Sequence, residues 1–200
     1  MLDLVPTNSA IRPSGDGWEY RHNDIADLSL YEEHGRVSKV PIDALTSYPD
    51  RTVHGEVIRD IVTPTRLKGF SALVNDVTGD LLQTRPVGDS YNLVPHHKLF
   101  EAQAEKLTQG DLPIEDVTVT DRLYDGGLRA HRTIHFNDLS ENIEHLQDRV
   151  VYRMDIFNSV DMSWSFQIFS GAYRDLCRNT LVFGGEKAYH QKRKHTKNLS

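Results

Sequence analysis

The side chains able to do chemistry gather in the last third of the chain. From Leu128 to Phe136 apolar and polar residues alternate, which places Leu128, Ala130, Ile134 and Phe136 on one face of a strand and Arg129, His131, Thr133 and His135 on the other. A second alternating run, Val150 to Phe157, turns Val150, Tyr152, Met154 and Ile156 inward and Arg153 outward. Guanidinium and imidazole groups on a flat face suit phosphate oxygens, and Phe157 or Phe169 on that face can stack a base. Arg174 and Arg178 stand four apart on an expected helix, and Lys192, Arg193 and Lys194 follow near the C-terminus. Arg129, Arg153, Arg174, Arg178, Lys192, Arg193 and Lys194 are therefore the candidate nucleic-acid-binding residues. The same alternation also describes an ordinary polar outer face, and Arg132 falls in the inward register, against the assignment of faces.

Other chemistries find less support. Asp155 and Asp161 could hold a hard cation, but no further acids accompany them in a nuclease-like arrangement. Asn158, Ser159, Asp161 and Ser163 cluster in a turn, where their side chains can bond the backbone and fix the loop. The ten histidines, among them the pairs His96–His97, His131–His135 and His190–His195, show no second ligand pair at a zinc spacing. Cys177 lies beside Leu176 on the apolar side of its expected helix and reads as a small buried hydrophobe. Gly126–Gly127 and Gly184–Gly185 are turns, without a dinucleotide fingerprint or a phosphate-loop lysine. No catalytic residue, metal or cofactor is assigned.

Charge narrows the class of partner. Lys187 to Ser200 holds five basic residues and no acid, so the other 186 residues carry 18 of the 23 basic side chains against all 29 acidic ones, a balance of −11. An acidic body with a basic tail repels a duplex from most directions, and any nucleic acid needs a local site. The tail is equally well read as a solvated terminus. At 38% hydrophobic the chain can bury a core, no stretch approaches the length of a membrane span, and the single cysteine fits a cytoplasmic setting.

The elements that must hold these residues follow from pattern. Residues 1–36, broken by Pro6, Pro13, Gly15 and Gly17, read as an irregular arm, and Val37 to Thr63 as short strands or one short helix. The expected division is 1–65, arm and short elements, and 66–200, an α+β core with a basic tail. Residues 69–94 form a hairpin turning near Thr78-Gly79-Asp80. A helix starts at Pro95, with Leu99, Phe100, Ala104 and Leu107 at helical spacing and Gly110 at its end. Strands over Asp116–Thr120 and Leu128–Phe136 flank the turn Asp125-Gly126-Gly127. Leu139, Ile143 and Leu146 suggest a short acidic helix before the strand Val150–Phe157. The strand Ser163–Phe169 buries Trp164, Phe166 and Ile168, and a helix over Ala172–Leu181 closes the pattern. The fold class is α+β, an antiparallel sheet of hairpins with packed helices.

The C-terminal part also resembles a known family. FNSVDMSWSFQIFSGAYRDLCRNTL followed by KHTKN is similar to the phage- and plasmid-associated domain of unknown function 932, through Asn158, Ser159, Asp161 and Ser163, then Arg174, Cys177, Asn179, Thr180 and Leu181, then Lys194, His195 and Thr196. YNLVPHHKLFEAQAEKL resembles the family's Tyr-x-Val and Phe segment. The resemblance covers about residues 70–200. Met162 departs from it, standing where the family usually has glycine, and the chain stops after KHTKN where relatives continue. It implies a phage or mobile-element origin and no assigned chemistry. The element order is also compatible with Rad52-like single-strand annealing proteins, which implies self-association. The expected function is non-catalytic binding of single-stranded DNA in replication or recombination. A factor binding a host protein through its acidic body, and a metal-dependent nucleic-acid enzyme using Asp155, Asp161 or the histidines, are the alternatives.

Overall fold

Seven strands of one antiparallel sheet organise the protein. The computed structural model describes residues 10–46, 51–53, 56–58, 63–82, 86–110, 114–143, 148–174 and 189–193. In chain order the elements are β1 (Arg12–Ser14), β2 (Gly17–His22), α1 (Ser29–Glu33), β3 (Val37–Thr46), β4 (Arg51–Val53), β5 (Glu56–Ile58), β6 (Thr63–Asn75), β7 (Val87–Gly88), α2 (His96–Thr108), β8 (Val117–Tyr124), β9 (Arg129–Ile143), β10 (Asp148–Ser159), β11 (Phe166–Arg174) and β12 (Tyr189–Arg193). The main sheet has the order β1-β2-β8-β9-β10-β11-β12; β3, β6 and β7 form a second sheet, and β4 with β5 a third. The α+β class holds, with antiparallel pairing throughout, but the described chain is richer in sheet than the expected packing of several helices.

Helices α1 and α2 cover one face of the main sheet. Leu30 and Tyr31 of α1 and Phe100, Ala104 and Leu107 of α2 pack on Val117, Val119 and Leu123 of β8, Ala130, Ile134 and Phe136 of β9, and Ile156 of β10. Each strand contributes alternate residues because its side chains alternate. The helix expected from Pro95 is α2, with Pro95 in extended conformation just ahead of it, where its missing N–H costs nothing. The first hairpin is present too. The Asn75 side chain accepts the Val77 and Thr78 N–H groups at 2.8 and 3.1 Å, and Gly79 supplies a φ of +77°.

Arg132 does point inward, and the faces are nonetheless as expected, because a buried acid meets it. Its Nε and Nη2 donate to both oxygens of Asp121, each at 2.8 Å, while Nη1 and Nη2 donate to the Ile25 and Asp27 carbonyls. Tyr31 Oη donates to Asp121 at 2.8 Å, and His22 Nε2 lies 3.1 Å from it. Burial opposes ionisation of Asp121, but the Arg132 charge outweighs it and holds the carboxyl below its usual range. Burial and then the Asp121 charge push the Tyr31 phenol well up. Arg132, Asp121 and His22 are fully buried, so this cluster ties β2, α1 and the Ile25–Asp27 loop to the sheet and offers nothing to a ligand.

Several expectations are corrected. The stretch read as an irregular arm contains β1, β2 and α1; β2 lies inside the sheet, paired with β8. Gly17 permits that close pairing, since a Cβ there would meet the Leu123 carbonyl oxygen at 1.7 Å. The acidic helix expected around Leu139–Leu146 is corrected over residues 139–143, which end β9: Glu141, Asn142 and Ile143 pair with Val150, Arg149 and Asp148, so ladder bonds win over a weak helical spacing, and residues 144–147 lie outside the described residues. The helix over Ala172–Leu181 is corrected at its start: Ala172, Tyr173 and Arg174 continue β11 against Val150–Tyr152. Residues 175–181, Cys177 and Arg178 among them, lie outside the described residues. The last long strand begins at Phe166 rather than Ser163, which leaves Trp164 in the preceding turn and out of the core.

Candidate functional site

On the face opposite the helices, the strand register brings the outward residues together. Phe157 pairs with His131 on β9 and Gln167 on β11, Asp155 with Thr133 and Phe169, and Arg153 with His135 and Gly171. Side chains opposite one another in an antiparallel pair interact directly. Accordingly the His131 ring stacks on Phe157 with centroids 4.2 Å apart and planes 11° apart. Phe157 meets Trp164 and Phe169 edge-on at 5.7 and 5.9 Å. The Arg129 guanidinium lies over the Trp164 ring, 5.1 Å from its centroid. These residues form one half-buried platform of aromatic rings edged by cations.

The turn from Asn158 to Ser163 sets the position of Trp164. The Ser159 hydroxyl accepts the Trp164 N–H and donates to its carbonyl, both at 3.0 Å, and Asp161 accepts the Ser163 N–H at 2.9 Å. Asn158 Nδ2 donates to Nδ1 of buried His96, whose Nε2 donates to the Gly127 carbonyl at 2.8 Å, so two partners fix that imidazole as one neutral tautomer. The Tyr91 hydroxyl donates to Val160 O at 2.6 Å, joining the turn to a smaller core of Val37, Leu73, Val87 and Leu128. Met162 has a φ of +66°, a conformation that glycine adopts freely and methionine does not.

Arg153 and Arg129 each have an acid beside them. Asp155 accepts from Arg153 Nε at 2.7 Å and Thr133 Oγ1 at 3.0 Å, with His131 Nε2 at 2.9 Å. Burial works against the carboxylate, but the His131 hydrogen bond and the Arg153 charge overcome it and lower Asp155 to about 2. Arg129 is ion-paired to Asp125. Further along the row of His131 and Phe157, Glu19 bridges Arg12 and Arg122; the Arg12 hydrogen bond, followed by the Arg122 charge, outweighs burial and lowers it. The His131–Asp155–Thr133 contact is not a nucleophilic triad, because Thr133 and Asp155 meet the same ring nitrogen and Thr133 is buried. Asp155 and Asp161 are both engaged by protein donors. No group of three or more potential metal ligands is found among the described residues.

Of the seven candidate residues, Arg129 and Arg153 share this face. Lys192 pairs with Gln167 and so stands in the row of Phe157 and His131. Arg174 pairs with Val150 and Arg193 with Phe166, register positions that alternate with the platform rows. Arg178 and Lys194 lie outside the described residues. Sequence reasoning missed Trp164, which it placed in the core, and Asp125 and Arg122. The signal for Arg122 was available, since it sits at outward parity in β8, directly opposite His131.

No helix among the described residues is long and apolar enough to cross a membrane. A family model described as domain of unknown function (DUF932) matches residues 84–200, which hold α2, β8 to β12 and the whole platform. No curated protein and no solved structure matches the chain.

Proposed function

The chain belongs to the DUF932 family, and since that membership brings no chemistry with it, we propose from the geometry that the open face of the main sheet binds single-stranded DNA without catalysing a reaction. The observation that carries this reading is the contiguous set His131, Phe157, Trp164 and Phe169 with Arg129 at its edge. Base faces stack on such rings whatever their sequence, at about 1–3 kcal/mol per base, whereas a duplex hides those faces. Arg129, Arg153 and Lys192 supply phosphate contacts, and the acids beside the two arginines keep that contribution small. Affinity therefore comes more from stacking than from counter-ion release. The setting proposed is replication or recombination of a phage or other mobile element, in the host cytoplasm. Self-association, as in Rad52-like annealing proteins, is a fold-level analogy that adds binding sites along one strand.

The test is fluorescence polarisation of a labelled oligothymidylate across a salt series. At roughly 0.7 per phosphate contact, three full contacts would give a slope of log K against log salt near −2, and the paired arginines make it shallower than that. Phe169→Leu weakens binding by about tenfold with an unchanged melting temperature, and Lys192→Gln makes the slope shallower. A wild-type protein that binds no single strand at low salt refutes the proposal.

A further inference from the structure

We infer that Asp125 decides which nucleic acid the platform accepts: by holding Arg129 against Trp164 it keeps that cation part of a stacking surface and denies it to the backbone of a duplex. This rests on the reading of the open face as a single-strand platform. Asp125 lies four residues before Arg129, at the start of the tight turn that leads into β9, and is ion-paired to it, and both side chains are partly exposed, at 29% and 32%. An incoming phosphate must compete with that carboxylate for the guanidinium. The Arg129 Nε–H is screened from solvent and finds no acceptor among the described residues, so the pair leaves a charged donor unused there. The backbone gives a second, independent observation. Among the described residues the non-glycine positions with positive φ are Asp125, at +50°, and Met162, at +66°. One opens the turn that leads into Arg129 and the other lies two residues before Trp164. Left-handed conformations in ordinary residues cost energy and cluster where a binding surface dictates the backbone. Both strained turns here frame the Arg129–Trp164 contact, while the remaining platform residues sit on regular strand.

A carboxylate at this place acts selectively. A single strand still gains from Phe157, Trp164 and Phe169, uncharged rings whose stacking a carboxylate does not neutralise. A duplex offers phosphates alone and meets a neutralised arginine on an acidic protein.

The test is Asp125→Asn, since asparagine tolerates the left-handed conformation better than most residues and keeps the shape of the side chain. Duplex and single-strand affinities are measured by polarisation over a salt series for wild type, Asp125→Asn and Asp125→Asn/Arg129→Gln. The freed guanidinium raises duplex affinity by about twofold to fivefold, the range that corresponds to one partly exposed ion pair, and steepens the duplex salt slope by about 0.9. Single-strand affinity rises less, and Arg129→Gln in the same background abolishes the gain. If wild type binds single strands but Asp125→Asn leaves the duplex affinity and slope unchanged, the inference fails and the platform reading stands. If wild type binds no single strand at all, both fall.

Discussion

Replacing Arg132 with methionine tests whether the buried charge cluster organises the N-terminal elements. Methionine fills much the same volume, so the change removes charge and hydrogen bonds while disturbing packing least. Four hydrogen bonds disappear, two to Asp121 and one each to the carbonyls of Ile25 and Asp27. Asp121 remains fully buried with Tyr31 and His22 as its donors and no arginine. Breaking a buried pair by removing one partner costs about 3–5 kcal/mol, against a total stability of about 5–15 kcal/mol for a domain. The expected loss at pH 7 is therefore about 4 kcal/mol, read as a fall of about 1–2 M in the urea midpoint. The pH dependence separates electrostatics from packing. In the wild type Arg132 holds Asp121 below its usual range. Without that cation, burial raises the folded-state value above the unfolded one, so the variant gains on the wild type as pH falls and Asp121 takes up its proton. The deficit at pH 4.5 is expected to be clearly smaller than at pH 7. An equal deficit at both pH values, or a loss under about 1 kcal/mol, refutes the account of Arg132 as the counter-charge of Asp121.

Two further outcomes concern the open face and its turn. Met162→Gly removes about 1–2 kcal/mol of left-handed strain and gives back part of that in unfolded-state entropy, so thermal unfolding should rise by a few degrees; an unchanged or lower midpoint contradicts the strain at φ +66°. Asp155 is nearly buried, and its folded value of about 2 lies below the unfolded one, so it contributes about 2 kcal/mol that is fully present above pH 4 and lost as pH falls toward 2. Asp155→Asn should therefore lose less stability than wild type between pH 5 and pH 2.5 in urea titrations, and parallel curves would show that Asp155 makes no such contribution.

The parts of the fold legible in the sequence are those fixed by local alternation. Strands β8 to β11 place Val119, Ala130, Ile134 and Ile156 inward as their period of two demands, and His131, Arg153 and Phe157 outward. Even the partner of Arg132 could be read once the turn is located. The β8–β9 ladder closes at Tyr124 opposite Arg129, so stepping three residues back along each strand sets Asp121 against Arg132. An opposite charge at that place turns an apparent breach of the apolar face into a pair. What stayed hidden depends on partners distant in sequence. GWEYRH has few residues and is preceded by breakers, and it becomes a strand only because β8 is there to receive it. Ala172–Arg174 has spacing that suits a helix and a strand alike, and the extended length of β10 decides for the strand. Trp164 was misplaced because the side-chain bonds of Ser159 and Asp161 lengthen the turn, a choice no periodicity records.

Two of the carboxylate–arginine pairings in this sheet, Asp121–Arg132 and Asp125–Arg129, show why one residue chemistry leads to different ends on its two faces. Asp121 and Arg132 are both wholly out of water, so neither can change partner without a large desolvation cost, and the pair specifies where β2 and α1 must dock. Asp125 and Arg129 are about a third exposed, and there water screens the attraction to a fraction of a kilocalorie per mole or little more. A pair that weak adds little to folding, yet its energy is comparable to one phosphate contact, the scale on which a binding face tells one polyanion from another. Burial thus divides the roles: the inner pair fixes the fold, and the outer pair remains open to exchange with a ligand.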